Sequence, residues 1–291
     1  DDLHGRNNIK SDDYVNRKSR FQLKNSIILV HSRKLSTYYY ILNKLFFLNI
    51  KLIYISHSIY DNLRIVTFYP RIVVSISDKV TENLINYFNV SPERIVKINT
   101  GIPDRMFSHS ALNRPDPLID ILYAARITDE KRQVDIVKNL KGKLNKSVRI
   151  SFAGTGPDEN HLKQLIEDDL NFRFLGFIAD IDNIIEQCDY MMLFSKREGL
   201  PISLMEGIRA SKPLIVNDVG GNLELGEVTI NAFVANDWDE LLKVINNLPK
   251  RFEEQYANMA RGSREKFQTK FRYEMMIDKY TSLIKEVYNM E

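Results

Sequence analysis

A single cysteine, Cys188, occurs in these 291 residues. That excludes a disulfide within the sequence and a thiolate-held zinc ion, and it suits a reducing compartment. The five histidines, at positions 4, 31, 57, 109 and 161, have no metal-ligand spacing, so no metal site is expected. Long apolar runs are missing as well. The stretch from Leu35 to Ile55 comes nearest, but Asn43, Lys44, Asn49 and Lys51 interrupt it and make it a poor membrane span. The opening residues, DDLHGRNNIK, include neither a methionine nor a signal-peptide pattern. There is no tight run of lysine and arginine, and nucleic acid is not expected as a partner. Walker sequences, internal repeats and low-complexity tracts are also lacking.

What remains is an ordinary globular composition, 44% hydrophobic and 27% charged, with length enough for two domains. The net charge of +3 is unevenly spread. Residues 1–112 carry 16 Lys and Arg against 9 Asp and Glu, whereas 113–291 carry 25 against 29. A basic first part suits an anionic partner such as a membrane surface, or is simply solvated charge.

Short β-branched runs alternate with helix-like segments. The strand candidates are Ile27–Val30, Leu52–Ile55, Ile72–Ile76, Ile95–Ile98, Ile119–Ala124, Val148–Ala153, Phe172–Leu175, Tyr190–Phe194 and Pro213–Val216. Most are continuously apolar, as parallel strands covered on both faces should be. Helices are expected at Lys79–Phe88, Arg132–Lys143, Glu159–Asp168, Ile181–Gln187 and Ile202–Ala210, with a mostly helical chain from Lys243 onward. This is the βαβ pattern of an α/β fold. The Pro-containing stretch 108–120 reads as a linker. It divides a lobe of residues 1–112, joined by a C-terminal helix over 271–291, from a lobe of residues 113–270, with a cleft between them.

Three segments could carry chemistry. In KREGLPISLMEG, residues 196–207, a turn after a strand leads through Pro201 into a helix. The free N–H groups of Leu200, Ile202 and Ser203 would favour phosphate or a sugar hydroxyl, with Glu198 and Glu206 reaching different parts of one elongated ligand. Two incidental surface glutamates are the plainer alternative. In YAARITDEKRQVD, Arg126, Lys131 and Arg132 follow a strand and suit a diphosphate, unless Asp129 and Glu130 merely neutralise a solvated loop. FAGTGPDENHL is a glycine-rich turn without a dinucleotide fingerprint. The two Asp-x-Asp pairs, at 180–182 and 237–239, fit helix caps better than a metal site. His57 follows an apolar strand and faces either a cleft or the core.

Taken in order, these segments resemble the retaining family 4 glycosyltransferases of GT-B fold, over about residues 25–291. The resemblance rests on the Arg-x4-Lys segment at 126–131, the Gly-x-Gly-Pro turn at 154–157 and the Glu-x7-Glu pair at 198 and 206. The later Gly220, Gly221, Asn222 and Glu224 also match, as do ISHSIY and VVSISDKVTENLINYFNVSPERIVKINTGIPDRMF in the first half. It implies two Rossmann-like lobes with parallel sheets facing across a cleft, and transfer of a sugar from a nucleotide diphosphate sugar with retention of configuration and without a metal. By the same resemblance Arg126 and Lys131 would hold the diphosphate, and Glu206 the ribose. Glu198 would position the sugar with Gly199 and Leu200 at the Pro201–Ser203 helix start, and His57 would approach from the other lobe.

No cofactor is implied beyond a UDP- or GDP-linked donor. The expected acceptor is a glycan or lipid-linked saccharide of polysaccharide biosynthesis, met in the cytoplasm at the inner face of the plasma membrane through peripheral contact by the basic lobe. Two departures stand out. Arg132 replaces a common glycine, and only 24 residues precede Asn25 where the family has further strands, so the first lobe is expected to be incomplete. A nucleotide-sugar epimerase of the same fold, or a donor-binding subunit that needs a partner lobe, stays open. An epimerase would alter the donor without an acceptor.

Overall fold

The computed structural model describes residues 23–107 and 118–289. The chain builds two parallel sheets. In the first, β1 (Ile27–Val30), β2 (Lys51–Ser56), β3 (Ile72–Ser75) and β4 (Ile95–Lys97) lie in sequence order. Crossover helices α1 (Arg33–Phe46) and α2 (Asp78–Asn86) connect them. Helix α1 occupies most of the stretch that is unsuited to span a membrane, and among the described residues no helix is long and apolar enough to do so. In the second sheet, β5 (Ile119–Ala124), β6 (Val148–Ala153), β7 (Phe172–Gly176), β8 (Tyr190–Leu193), β9 (Leu214–Val216) and β10 (Ala232–Val234) take the order β10-β9-β8-β5-β6-β7. Its helices are α3 (Gln133–Leu140), α4 (Glu159–Ile166), α5 (Ile181–Gln187), α6 (Ile202–Arg209), α7 (Asn222–Leu225) and α8 (Trp238–Asn246), followed by α9 (Glu254–Lys270) and α10 (Tyr273–Asn289).

Burial explains the apolar runs. Ile53, Tyr54, Val73 and Val74 are fully enclosed in the first sheet, as are Ile121, Leu122, Tyr190 and Met191 in the second. Both faces of these central strands are covered, so they show no alternation. The expected strands are all present to within a residue or two. β10 is an addition: three residues long, with Phe233 and Val234 only half buried, it has too short a signal to read from the sequence. The last helical region begins at Trp238 rather than Lys243, because the Asp237 carboxylate accepts from the N–H of Glu240 at 2.8 Å and caps α8. Most of the expected linker, residues 108–117, lies outside the described residues.

The chain returns to the first lobe at its end. The N–H of Ile102 donates to the Phe271 carbonyl at 3.1 Å, and that of Tyr273 to the Ile102 carbonyl at 3.0 Å. α10 then lies against β1, and Lys51 Nζ donates to the Tyr288 carbonyl at 3.0 Å. In the second sheet the strand order reverses between β5 and β8, which are direct neighbours. In open α/β sheets such a switch point leaves a crevice at the carboxyl ends of the strands.

Candidate active site

Residues leaving β5 and β8 meet at this crevice. Beyond β5, the Thr128 hydroxyl accepts from the Lys131 N–H at 3.4 Å and starts a single 3₁₀ turn, Asp129–Lys131. The sequence reading starts a helix at Arg132, and the structure corrects that. Arg132 is left-handed (φ 59°, ψ 21°), and α3 begins only at Gln133. A left-handed position explains why a glycine is common there. The arginine keeps its place by laying its guanidinium over the rings of Trp238, at 4.3 Å, and Phe194, at 5.0 Å. Buried Gln133 ties the loop from within, donating to the Arg126 carbonyl at 3.0 Å. Buried Tyr123 links the two strand exits: its hydroxyl donates to the Lys131 carbonyl at 2.6 Å and accepts from the Phe194 N–H at 3.1 Å. Burial raises its pKa above the ordinary tyrosine value, so the phenol stays protonated.

After β8 the chain turns through Ser195–Pro201 and enters α6, whose start no side chain caps. The first-turn N–H groups of such a helix have no intrahelical partner. Asn217 Nδ2 holds the Ser195 carbonyl at 2.8 Å, and the Gly221 N–H the Gly199 carbonyl at 2.8 Å. A side chain at Gly199 would place its Cβ 2.0 Å from the His57 carbonyl, so glycine alone lets the lobes come this close. Gly154 (φ 140°) answers a similar need: a Cβ there would meet the Ala125 carbonyl at 2.1 Å. The glycine-rich turn thus packs behind the Arg126 loop. The Asp-x-Asp pairs are likewise structural, since Asp182 pairs with Arg105 at 2.6 Å and with Arg209, while Asp237 caps α8.

A cleft of about 320 Å³ lies between the lobes, with His57 to Tyr60 on one wall and Lys131, Glu198, Gly199 and Leu200 on the other. Lys131 Nζ pairs with Glu198 Oε1 at 2.5 Å, and the glutamate side chain is only 6% exposed. His57 faces His31, which follows β1; Nε2 of the first lies 2.7 Å from Nδ1 of the second. Both rings are exposed to solvent, and their partial desolvation lowers both imidazole pKa values from 6.5, with His31 lowering that of His57 further. Arg126 is exposed at the end of β5, while Ile202, Ser203 and Glu206 lie on α6 behind Pro201. None of these residues, Pro201 included, lines that cleft.

His31 escapes sequence reasoning, and Glu224, which the resemblance includes, is given no role by it. His31 shows only one signal, its place one residue beyond a strand that neighbours the strand before His57. Glu224 reaches across to the first lobe, where it accepts from the Asp78 N–H, from Asn99 Nδ2 at 3.0 Å and from Lys97 Nζ at 2.8 Å. Burial opposes the charge on Lys97, but bonds from Asp78 and Glu224 outweigh it and raise that pKa.

Comparison with known proteins bears on this arrangement. HepE of Anabaena, solved in complex with UDP, superposes with a TM-score of 0.77 at 18% identity, over 90% of this chain and 79% of that one. A glycosyltransferase of Rickettsia africae gives 0.76 at 18% identity, covering 91% and 78%. In sequence, the O-antigen biosynthesis glycosyltransferase WbnH of Escherichia coli is 26% identical over 190 residues, 61% of this chain and 54% of WbnH. The UDP-Gal:alpha-D-GlcNAc-diphosphoundecaprenol alpha-1,3-galactosyltransferase of Escherichia coli is 29% identical over 149 residues, 47% of this chain and 35% of the relative. The chain therefore spans between a third and just over half of these curated relatives. Both sheets and the switch point have the two-lobed α/β architecture of GT-B glycosyltransferases. Residues 104–266, more than half of the chain, match the family described as glycosyl transferases group 1, and the chain belongs to that family.

Proposed function

We propose that the cleft transfers a sugar from a nucleoside diphosphate sugar to a glycan or lipid-linked saccharide, retaining anomeric configuration and using no metal, as family 4 enzymes do. The observation that carries this reading is the Lys131–Glu198 pair at the switch point, beside the uncapped start of α6. Arg126 and Lys131 hold the diphosphate and offset the charge that grows on the leaving group, helped by the positive end of α6. Glu198, with the backbone of Gly199 and Leu200, positions the sugar. Pro201, Ile202 and Ser203 set the helix start against the phosphates, Glu206 accepts from the ribose hydroxyls, and His57 approaches from the opposite wall. With cations on the phosphate side, the departing diphosphate itself can take the acceptor's proton, so no dedicated base is required.

A uridine donor is favoured, because HepE has been solved with UDP and with UDP-glucose and the galactosyltransferase is named for UDP-Gal. We divide the chain into an acceptor-side lobe of residues 1–112, joined by the helix over 271–291, and a donor lobe of residues 113–270. Titration calorimetry with UDP tests the assignment. Lys131→Ala and Glu206→Ala should each weaken binding by up to about 3 kcal/mol, as for a lost charge-assisted hydrogen bond. Unchanged affinity in both variants would remove the site assignment.

A further inference from the structure

Arg132 is an unfavourable residue for its own backbone. Its φ of 59° is left-handed, a conformation that glycine adopts freely and that other residues keep only where their surroundings compensate. The side chain adds a second cost. Its buried Nε has no acceptor among the described residues, and the Asp135 carboxylate, 3.8 Å away, is beyond hydrogen-bond reach. Both costs are offset in one place. The guanidinium lies 4.3 Å over the ring of Trp238 and 5.0 Å over that of Phe194, and the two rings pack on each other with centres 5.0 Å apart.

Each member of this stack belongs to a part of the site. Phe194 directly follows β8 and opens the turn that carries Glu198. Trp238 is the first residue of α8, which is fixed by its Asp237 cap and packs against α3. Arg132 is the residue after Lys131. The stack therefore joins the two strand exits that bring Lys131 and Glu198 to 2.5 Å. Buried Tyr123 joins the same exits from the core, and the stack joins them nearer the surface, where the Arg132 side chain is 21% exposed. Arg132 does not line the cleft, whereas Lys131 does.

We propose that Arg132 is a positioning residue for donor binding. Stacked on Trp238 and Phe194, it holds the Lys131 loop against the turn of Glu198, so that the lysine meets the diphosphate already aimed. This rests on reading the cleft as the site of a nucleoside diphosphate sugar. The role needs a guanidinium and not merely a positive charge, because an ammonium has no plane to lay on two rings.

Trp238 is the one tryptophan of the chain, so the stack can be followed in solution. Its emission should change in Arg132→Gly and in Arg132→Lys; unchanged emission in both would show that no stack forms. Calorimetric titration of the full chain with UDP reads the consequence. Arg132→Gly, Arg132→Lys and Trp238→Leu should each weaken binding about tenfold, the span of a partly desolvated cation–π contact, while Trp238→Phe keeps a ring and most of the affinity. The melting temperature should not fall in Arg132→Gly, because glycine relieves the left-handed backbone. Amide exchange at Lys131 and Arg132, whose N–H groups donate to the Thr128 carbonyl at 2.9 and 3.1 Å, should quicken in that variant.

Full affinity in Arg132→Lys beside a loss in Arg132→Gly would assign the effect to charge and overturn the proposal. So would a fall in melting temperature that matches the loss of affinity, which would make the contact merely structural. UDP binding that none of these variants weakens removes the positioning role alone. No UDP binding by the unaltered chain removes the transferase reading, and the donor role of Arg132 with it.

Discussion

Lys131 and Glu198 neutralise each other in a place where the glutamate has almost no access to water, so neither can be removed without stranding the other. Lys131→Ala leaves a buried carboxylate uncompensated and should cost about 2 kcal/mol of folding stability. Adding Glu198→Gln should restore most of that while donor binding stays weak. Urea unfolding of the single and double variants reads the coupling, and equal stability of both would deny it. The histidine pair makes a prediction on pH. Both imidazoles, although exposed, are lowered from 6.5 in the folded chain, through partial desolvation first and, for His57, His31 second. The unfolded chain therefore takes up protons first as the pH falls. Stability is full above about pH 6.5 and is lost from there down through the lowered values. His31→Asn should flatten that loss in melting curves taken between about pH 5 and about pH 8. A slope unchanged by the substitution would show that the pair does not carry it.

At the scale of elements, the strand exits at the switch point depend on one phenol. Tyr123→Phe leaves the Lys131 carbonyl and the Phe194 N–H without their buried partner, which should cost about 1–3 kcal/mol in denaturant unfolding and weaken UDP binding by loosening Lys131. Normal stability with normal binding would mean that the two exits are held by other contacts. The central strands were legible because burial on both faces leaves continuous apolar runs, as in IVVS at 72–75 and YMML at 190–193. β10 was not, being three residues and half covered. α1 is not among the expected helices either, although it is amphipathic and its helical period was there to be read. Of the site, the positions of Arg126, Lys131, Glu198 and Glu206 relative to strand ends could be read from spacing. The contacts of Lys131 with Glu198 and of His31 with His57 could not, because strand order, which brings those ends together, is a tertiary property.

The whole molecule places its cleft between two lobes, and the ties between them differ on its two sides. On the linker side the chain is bonded through backbone, with Ile102 held by Phe271 and Tyr273, and Arg264 grips Asp104 through two contacts of 2.7 Å. On the cleft side the ties are mostly side chains: Arg197 to Asp61, and Glu224 to the start of α2. The backbone side is suited to act as a pivot and the side-chain side as a latch, since side-chain bonds can open without unfolding a strand or helix. Glu224 is the better latch residue. Its carboxylate is 17% exposed and serves three donors, whereas Arg197 and Asp61 are largely solvated and such surface pairs contribute little. Glu224→Ala should weaken closure by about 1–3 kcal/mol. Solution scattering would then show a larger radius of gyration, and amide exchange at the first turn of α2 would quicken. UDP-sugar binding should fall, because His57 and Glu198 would no longer face each other across a closed cleft. Unaltered scattering and exchange would place the latch elsewhere, and Arg197→Ala would be the next variant to measure.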